Sequence, residues 1–196
     1  MATYQSIRYN VDYGGKAGAL MALLLFTSDG SDATATFSSK IDSTYDSYLF
    51  IYNNIHPETD GTALEVNFST DGGSNYNVTK TTTSFRAYHF ENDAGTNIHY
   101  DTDTDLAQST AFVKIAHYIK NDNDTCASGH IHIFNPSSTV FVKHFISRSC
   151  FVHGGDYSMD EFVAGYGNTT SAVDAIQFKM SADEIQGGTI GMFGVI

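Results

Sequence analysis

The chain has 196 residues, the length of one domain with an ordinary core, and sets 22 Asp and Glu against ten Lys and Arg for a formal net charge of −12. Three arginines and a pI near 4.8 argue against a nucleic-acid surface, which needs clustered cations. Sparse Glu, Lys and Arg argue against a helical bundle and 41% hydrophobic residues against disorder, so a chain with 12 Tyr, 14 Phe, no Trp and two Pro reads as all-β.

Residues 2–16 read as an N-terminal arm, with Tyr4, Ile7, Tyr9, Val11 and Tyr13 spaced through a polar segment ahead of Gly14-Gly15. The organisation expected is an arm over 1–16 and a single sandwich domain over 17–196. Ala17 to Phe26 (AGALMALLLF) is the longest apolar run. It falls well short of the roughly 18 residues of a membrane helix, so no membrane span is expected. Its long, Tyr-bearing leader is unlike a signal peptide, which leaves a buried strand over Leu20 to Thr27. Ser28 to Asp32 is a turn, and Ala33 to Ser38 alternates Thr with apolar residues. Ser47 to Ile55 (SYLFIYNNI) sets Tyr48, Phe50 and Tyr52 on one face and Leu49 and Ile51 on the other, and Pro57 closes it.

Ala63 to Ser69 turns inward Leu64, Val66 and Phe68, and Asp71-Gly72-Gly73-Ser74 turns the chain into a hairpin with Tyr76 to Val78. Thr82 to Phe90 fits a strand or a short helix. Residues 91–108 read as loop, with a brief strand at Ile98 to Tyr100. Ala111 to Ile119 is a strand that ends at the turn Asn121 to Asp124.

Ser128 to Phe134 and Thr139 to Ser147 form a second hairpin through Asn135-Pro136-Ser137-Ser138. Pairing Phe134 with Thr139 sets Ile131 opposite Val142 and Ile133 opposite Val140, and places His144 on the other face from His130 and His132. Phe162 to Tyr166, Ala172 to Met180 and Thr189 to Ile196 bring the total to about ten strands. That pattern, without repeats, suits a jelly-roll-like antiparallel β-sandwich. The apolar end Gly191 to Ile196 is expected inside a sheet or a seam between subunits.

Chemistry is hard to place. The eight histidines read as strand histidines rather than metal ligands. The runs Asp101-Thr-Asp103-Thr-Asp105 and Asp122-Asn123-Asp124 lack the glycine and glutamate of an EF-hand and read as solvated turns. Cys126 and Cys150 are expected as free thiols. No nucleophile elbow, zinc-protease helix, phosphate loop or dinucleotide fingerprint occurs, so no catalytic residue, no cofactor and no enzyme activity are expected.

Ile41 to Phe50 (IDSTYDSYLF), Ile55 to Asp60 (IHPETD), Phe68 to Tyr76 (FSTDGGSNY), Ser128 to Ser138 (SGHIHIFNPSS), Ala175 to Ser181 (AIQFKMS) and Gly187 to Val195 (GGTIGMFGV), in that order, resemble a module of bacteriophage virion proteins, particularly those of marine phages. The resemblance implies a jelly-roll-like sandwich on the outside of a virion, often trimeric, and supplies no catalytic residues. The expectation is therefore a virion-located, homotrimeric structural protein, assembled in the host cytoplasm. It would act as a capsid decoration or cement protein, with the major capsid protein or tail proteins as partners and the arm carrying the anchoring contacts. The alternative is a tail-fibre tip or adaptor whose loops 91–108 and 153–160 bind a host glycan.

Overall fold

A computed structural model describes residues 20–196 and the backbone of 12–13 and 16–17. All its regular elements are strands: β1 (Asp12–Tyr13), β2 (Lys16–Ala17), β3 (Leu20–Thr27), β4 (Ala35–Phe37), β5 (Ser47–Pro57), β6 (Thr62–Ser69), β7 (Lys80–Phe90), β8 (Thr96–Tyr100), β9 (Val113–Ile119), β10 (Ala127–Phe134), β11 (Lys143–His153), β12 (Tyr157–Gly167), β13 (Ala175–Met180) and β14 (Ile185–Val195). No described helix is long and apolar enough to cross a membrane. Of the arm residues, Tyr4, Ile7, Tyr9 and Val11 lie outside the described residues. Tyr13 is described by its backbone alone, pairing with Lys16 between β1 and β2.

Every strand pair is antiparallel, and β3 to β14 form one hydrogen-bonded system folded into two layers. The larger layer runs β3-β14-β5-β10-β11-β12-β7-β8 and the smaller β9-β6-β13-β4, joined at one corner where His153 pairs with Ile119. Eight strands pair in nested fashion, β3 with β14, β4 with β13, β5 with β10 and β6 with β9, like a long hairpin rolled up on itself. The hairpins β7–β8 and β11–β12 then widen the larger layer beyond β10.

Strand alternation explains the core between the layers. Tyr48, Phe50 and Tyr52 of β5 point inward, as do Leu64, Val66 and Phe68 of β6, and all six are buried. Edge-on ring contacts cross the gap: Phe37 to Phe50 at 5.2 Å and Phe68 to Phe145 at 5.2 Å. Such pairs add roughly 0.5–1.5 kcal/mol beyond the area they bury. With no Trp in the chain, Tyr and Phe fill this space.

The structure corrects several expectations. Among the described residues there are fourteen strands rather than about ten. β3 is a strand but an exposed one, with Leu20 and Leu25 open to solvent, because it sits at the edge of the layer. Segment 80–90 is a full strand, and 96–100 pairs with it. Tyr76 to Val78 forms no strand: the Asp71 turn is made, but the ties back to β6 are the Val78 amide to the Phe68 carbonyl at 3.4 Å and the Asn67 side-chain amide to the Tyr76 carbonyl. The loop expected over 153–160 shrinks to Gly154–Asp156 between β11 and β12. The apolar C-terminal segment lies inside the sheet, as β14 between β3 and β5.

The second hairpin also takes a different register, with Ile131 opposite Ser147 and Ile133 opposite Phe145. The connection is not a four-residue turn but a longer loop tied to other elements. The Asn135 amide bonds the Asp46 carbonyl, and the Pro136 carbonyl accepts from Val173. Because the shift is an odd number of residues, it exchanges the faces of β11 relative to β10. His144 therefore lies on the same face as His130 and His132, not on the opposite one.

Candidate functional site

Register places two contrasting rows of side chains on opposite faces of the larger layer. The outer row crosses all eight strands: Leu25, Gly191, Ile51, His130, Arg148, Phe162, Phe85 and Tyr100. A parallel row beside it runs Ala22, Phe193, Leu49, His132, Ile146, Ala164 and Thr83. These eight strands hold two of the chain's 22 Asp and Glu, Asp160 and Glu161, and only Asp160 faces outward. Arg148 holds it by two hydrogen bonds of 2.9 and 2.7 Å. The smaller layer differs: Glu65, Lys114 and Lys179 lie on its strands, with Lys179 3.6 Å from Glu65. The sandwich thus has one charge-poor, apolar outer face and one charged face.

A shallow groove of about 390 Å³ opens on the apolar face. Its floor is Ala164, Thr83 and Ile146, short enough to leave a depression between larger neighbours. One wall is Phe85 stacked flat on Phe162, with centroids 4.7 Å apart and planes 5° from parallel, and the Arg148 guanidinium lies 4.8 Å over the Phe162 ring. The groove continues toward His144 and Tyr166.

Beneath this face runs the inner row Tyr52, Gly129, Ser149, Glu161, Arg86 and His99. Ser149 Oγ bonds the Tyr52 hydroxyl and donates to the Ile115 carbonyl of the facing layer. A Cβ on Gly129 would meet the Arg148 carbonyl at 2.2 Å, so only glycine lets β10 and β11 close over the Tyr52 hydroxyl. Arg86 Nη1 pairs with buried Asp101 at 2.7 Å, and Arg86 Nε donates to His99 Nε2 at 3.1 Å. Glu161 is fully buried. Its Oε2 accepts the His117 amide at 2.9 Å, while Oε1, Ser84 Oγ and His99 Nδ1 have no partner among the described residues.

Burial pushes the Glu161 carboxyl up to about 7, helped by the nearby Asp101 charge and opposed by the His117 amide and Arg86. Burial, reinforced by Arg86 and His117, drives His153 down to about 4. The Gly155 amide donates to His153 Nδ1 at 3.0 Å, which fixes the proton of the neutral ring on Nε2, 3.0 Å from the Tyr157 hydroxyl. Tyr118 stacks on the other side of His153 and holds a φ of 66°, a strained backbone for so large a residue. At the far end of the core, burial drives Lys80 down to about 7. Its Nζ donates to Asn67 Oδ1 and the Val78 carbonyl.

Sequence reasoning missed the inner row because Arg86, His99, Ser149 and Glu161 sit at unremarkable spacings on four different strands. Only strand register assembles them. Asp101, read as part of a solvated acidic run, is instead 3% exposed and paired with Arg86, whereas Asp105 accepts from the Tyr100 hydroxyl at the surface. Sharing a face does not make His130, His132 and His144 a metal site: no group of three metal-binding side chains exists among the described residues. Cys126 and Cys150 are both free thiols. No family model, curated protein or solved structure matches the chain.

Proposed function

We propose that this chain is a non-enzymatic structural protein of a bacteriophage virion: a jelly-roll domain, homotrimeric, that decorates or cements the capsid surface. The observation that carries the reading is the outer face of the larger layer. A soluble domain with a net charge of −12 normally spreads its carboxylates over all exposed surfaces, and contiguous apolar faces mark contact sites. Here eight strands present Leu, Ile, Phe, Tyr and His outward with one carboxylate, held by Arg148, while the four strands opposite carry Glu65, Lys114 and Lys179. Such a face is suited to being covered in an assembly. The nested strand pairing supports the fold half of the proposal, since two Greek keys closed into a jelly roll have that connectivity. The order of the sequence segments from Ile41 to Val195 supports the virion half.

The groove wall favours one second reading, a tail-fibre tip that binds a host glycan. A flat Phe85–Phe162 pair beside an arginine is a surface on which a sugar ring can stack. Imaging of the phage particle by electron cryomicroscopy tests both. Density for this chain on the capsid surface supports decoration, density at the tail supports the second reading, and absence from the particle overturns both. Deleting residues 1–16 is expected to release the protein from the particle and leave the sandwich folded. Undiminished occupancy would remove the anchoring role from Tyr4, Ile7, Tyr9, Val11 and Tyr13.

A further inference from the structure

The loop that displaced the expected hairpin register carries two adjacent large apolar residues, Val140 and Phe141, each 68% exposed. Nothing in the described chain covers them, yet the segment is firmly built. The Val140 and Phe141 amides both donate to Ser138 Oγ, at 3.2 and 3.1 Å. The Phe141 carbonyl accepts from Lys143 Nζ at 2.6 Å. Lys143 is itself fully buried, and its second bond goes to the Thr169 carbonyl at 3.3 Å. A buried ammonium with two carbonyl partners and no carboxylate is a costly arrangement for holding one loop. It fixes the backbone of a projecting apolar knob in advance, and pre-ordering is what strengthens a contact.

The same chain carries the groove floored by Ala164, Thr83 and Ile146 and walled by Phe85 and Phe162. At about 390 Å³ it lies at the small end of the ~300–1,000 Å³ range of ligand clefts and suits one or two side chains. We infer that the occupant of the groove is a second copy of this chain, whose Val140–Phe141 knob seats against the Phe85–Phe162 pair. Charge selects this partner. At −12 per chain, copies repel over most of their surfaces, whereas the knob loop 135–142 has no charged residue and the groove's one charge, Arg148, is neutralised by Asp160. Charge repulsion falls off over about 8 Å at physiological salt, so two charge-poor patches can meet while the acidic flanks stay in solvent. A knob on one patch and a socket on another make a contact between different surfaces, of the kind that closes into rings. The inference deepens the assembly reading by naming the partner, and it is tested on the isolated chain, so its failure is separate from the failure of the virion location.

Light scattering on the full chain at about 50 µM is expected to give a closed multiple of 21.4 kDa that strengthens with added salt. Phe141→Asp removes the knob and Ala164→Trp fills the socket; both positions are on the surface, and each variant, checked for native circular dichroism, is expected to run as a monomer. Mixing the two restores one intact knob–socket junction and should yield a species of two chains. A monomeric wild type, folded variants that keep the wild-type mass, or a mixture that stays monomeric would each overturn the inference. Protection of the groove by a host glycan in the monomer would give it to the second reading instead.

Discussion

Replacing Glu161 by Gln should change how stability depends on pH more than it changes stability itself. Glu161 is fully buried and its carboxyl sits near 7, against an ordinary value of 4.5 in the unfolded chain. A group whose folded pKa is raised contributes stability that is complete below 4.5 and is lost as pH rises through 7. At about 1.4 kcal/mol per pH unit the contribution is about 3 kcal/mol, of which about 2.5 kcal/mol disappears between pH 5 and pH 8. Gln keeps an oxygen for the His117 amide and nearly the same volume but does not titrate. His153 and His117, both lowered by burial, give the opposite slope at acid pH. Subtracting wild type from variant cancels them. Urea unfolding followed by circular dichroism from pH 5 to pH 8 should show the variant gaining about 2.5 kcal/mol on wild type across that range. In melting temperature this is roughly 5–10 °C for a domain of this size. Parallel curves would refute a neutral, buried Glu161, and the account of the inner row would fall with it.

Gly129→Ala drives a methyl into the Arg148 carbonyl and the Tyr52 hydroxyl; it should destabilise by about 3 kcal/mol or more and shift amide exchange in β10 and β11. Asn67→Ala removes two donors, to the Tyr76 and Thr110 carbonyls, and the oxygen that receives Lys80 Nζ. The loss should be roughly 3–5 kcal/mol by thermal unfolding, because it unpairs the Tyr76 and Thr110 carbonyls and leaves buried Lys80 Nζ with the Val78 carbonyl alone. Lys80→Met in that background should recover part of it. A thiol titration of the native protein should count two free cysteines, exposed Cys150 reacting first and Cys126, whose thiol burial pushes up, following more slowly.

The strands were legible from local signals because a half-buried strand must alternate: Ser47 to Ile55 and Leu64, Val66 and Phe68 show their inner faces in the order of residues alone. So was the all-β class, from a charge-poor chain rich in Thr and aromatics. Register was not legible. The Asn135–Val142 segment looks like a short turn plus the start of a strand, and what lifts it out of the sheet is non-local: Val173 on the Pro136 carbonyl, Asp46 on the Asn135 amide, and Lys143 on the Thr169 carbonyl.

What the sequence by itself determined is an acidic, strand-built chain with an aromatic core and no recognisable catalytic motif, because composition and period-two alternation are properties of the chain in one dimension. Which residues meet was decided in the tertiary structure. An odd shift between β10 and β11 moved His144 across the sheet. The pairing of β8, β7, β12 and β11 brought His99, Arg86, Glu161 and Ser149 into one inward-facing row, with Tyr100, Phe85, Phe162 and Arg148 on the other side. Both rows exist only because hydrogen-bonded neighbours share a face, and that neighbourhood is set by long-range pairing across the chain.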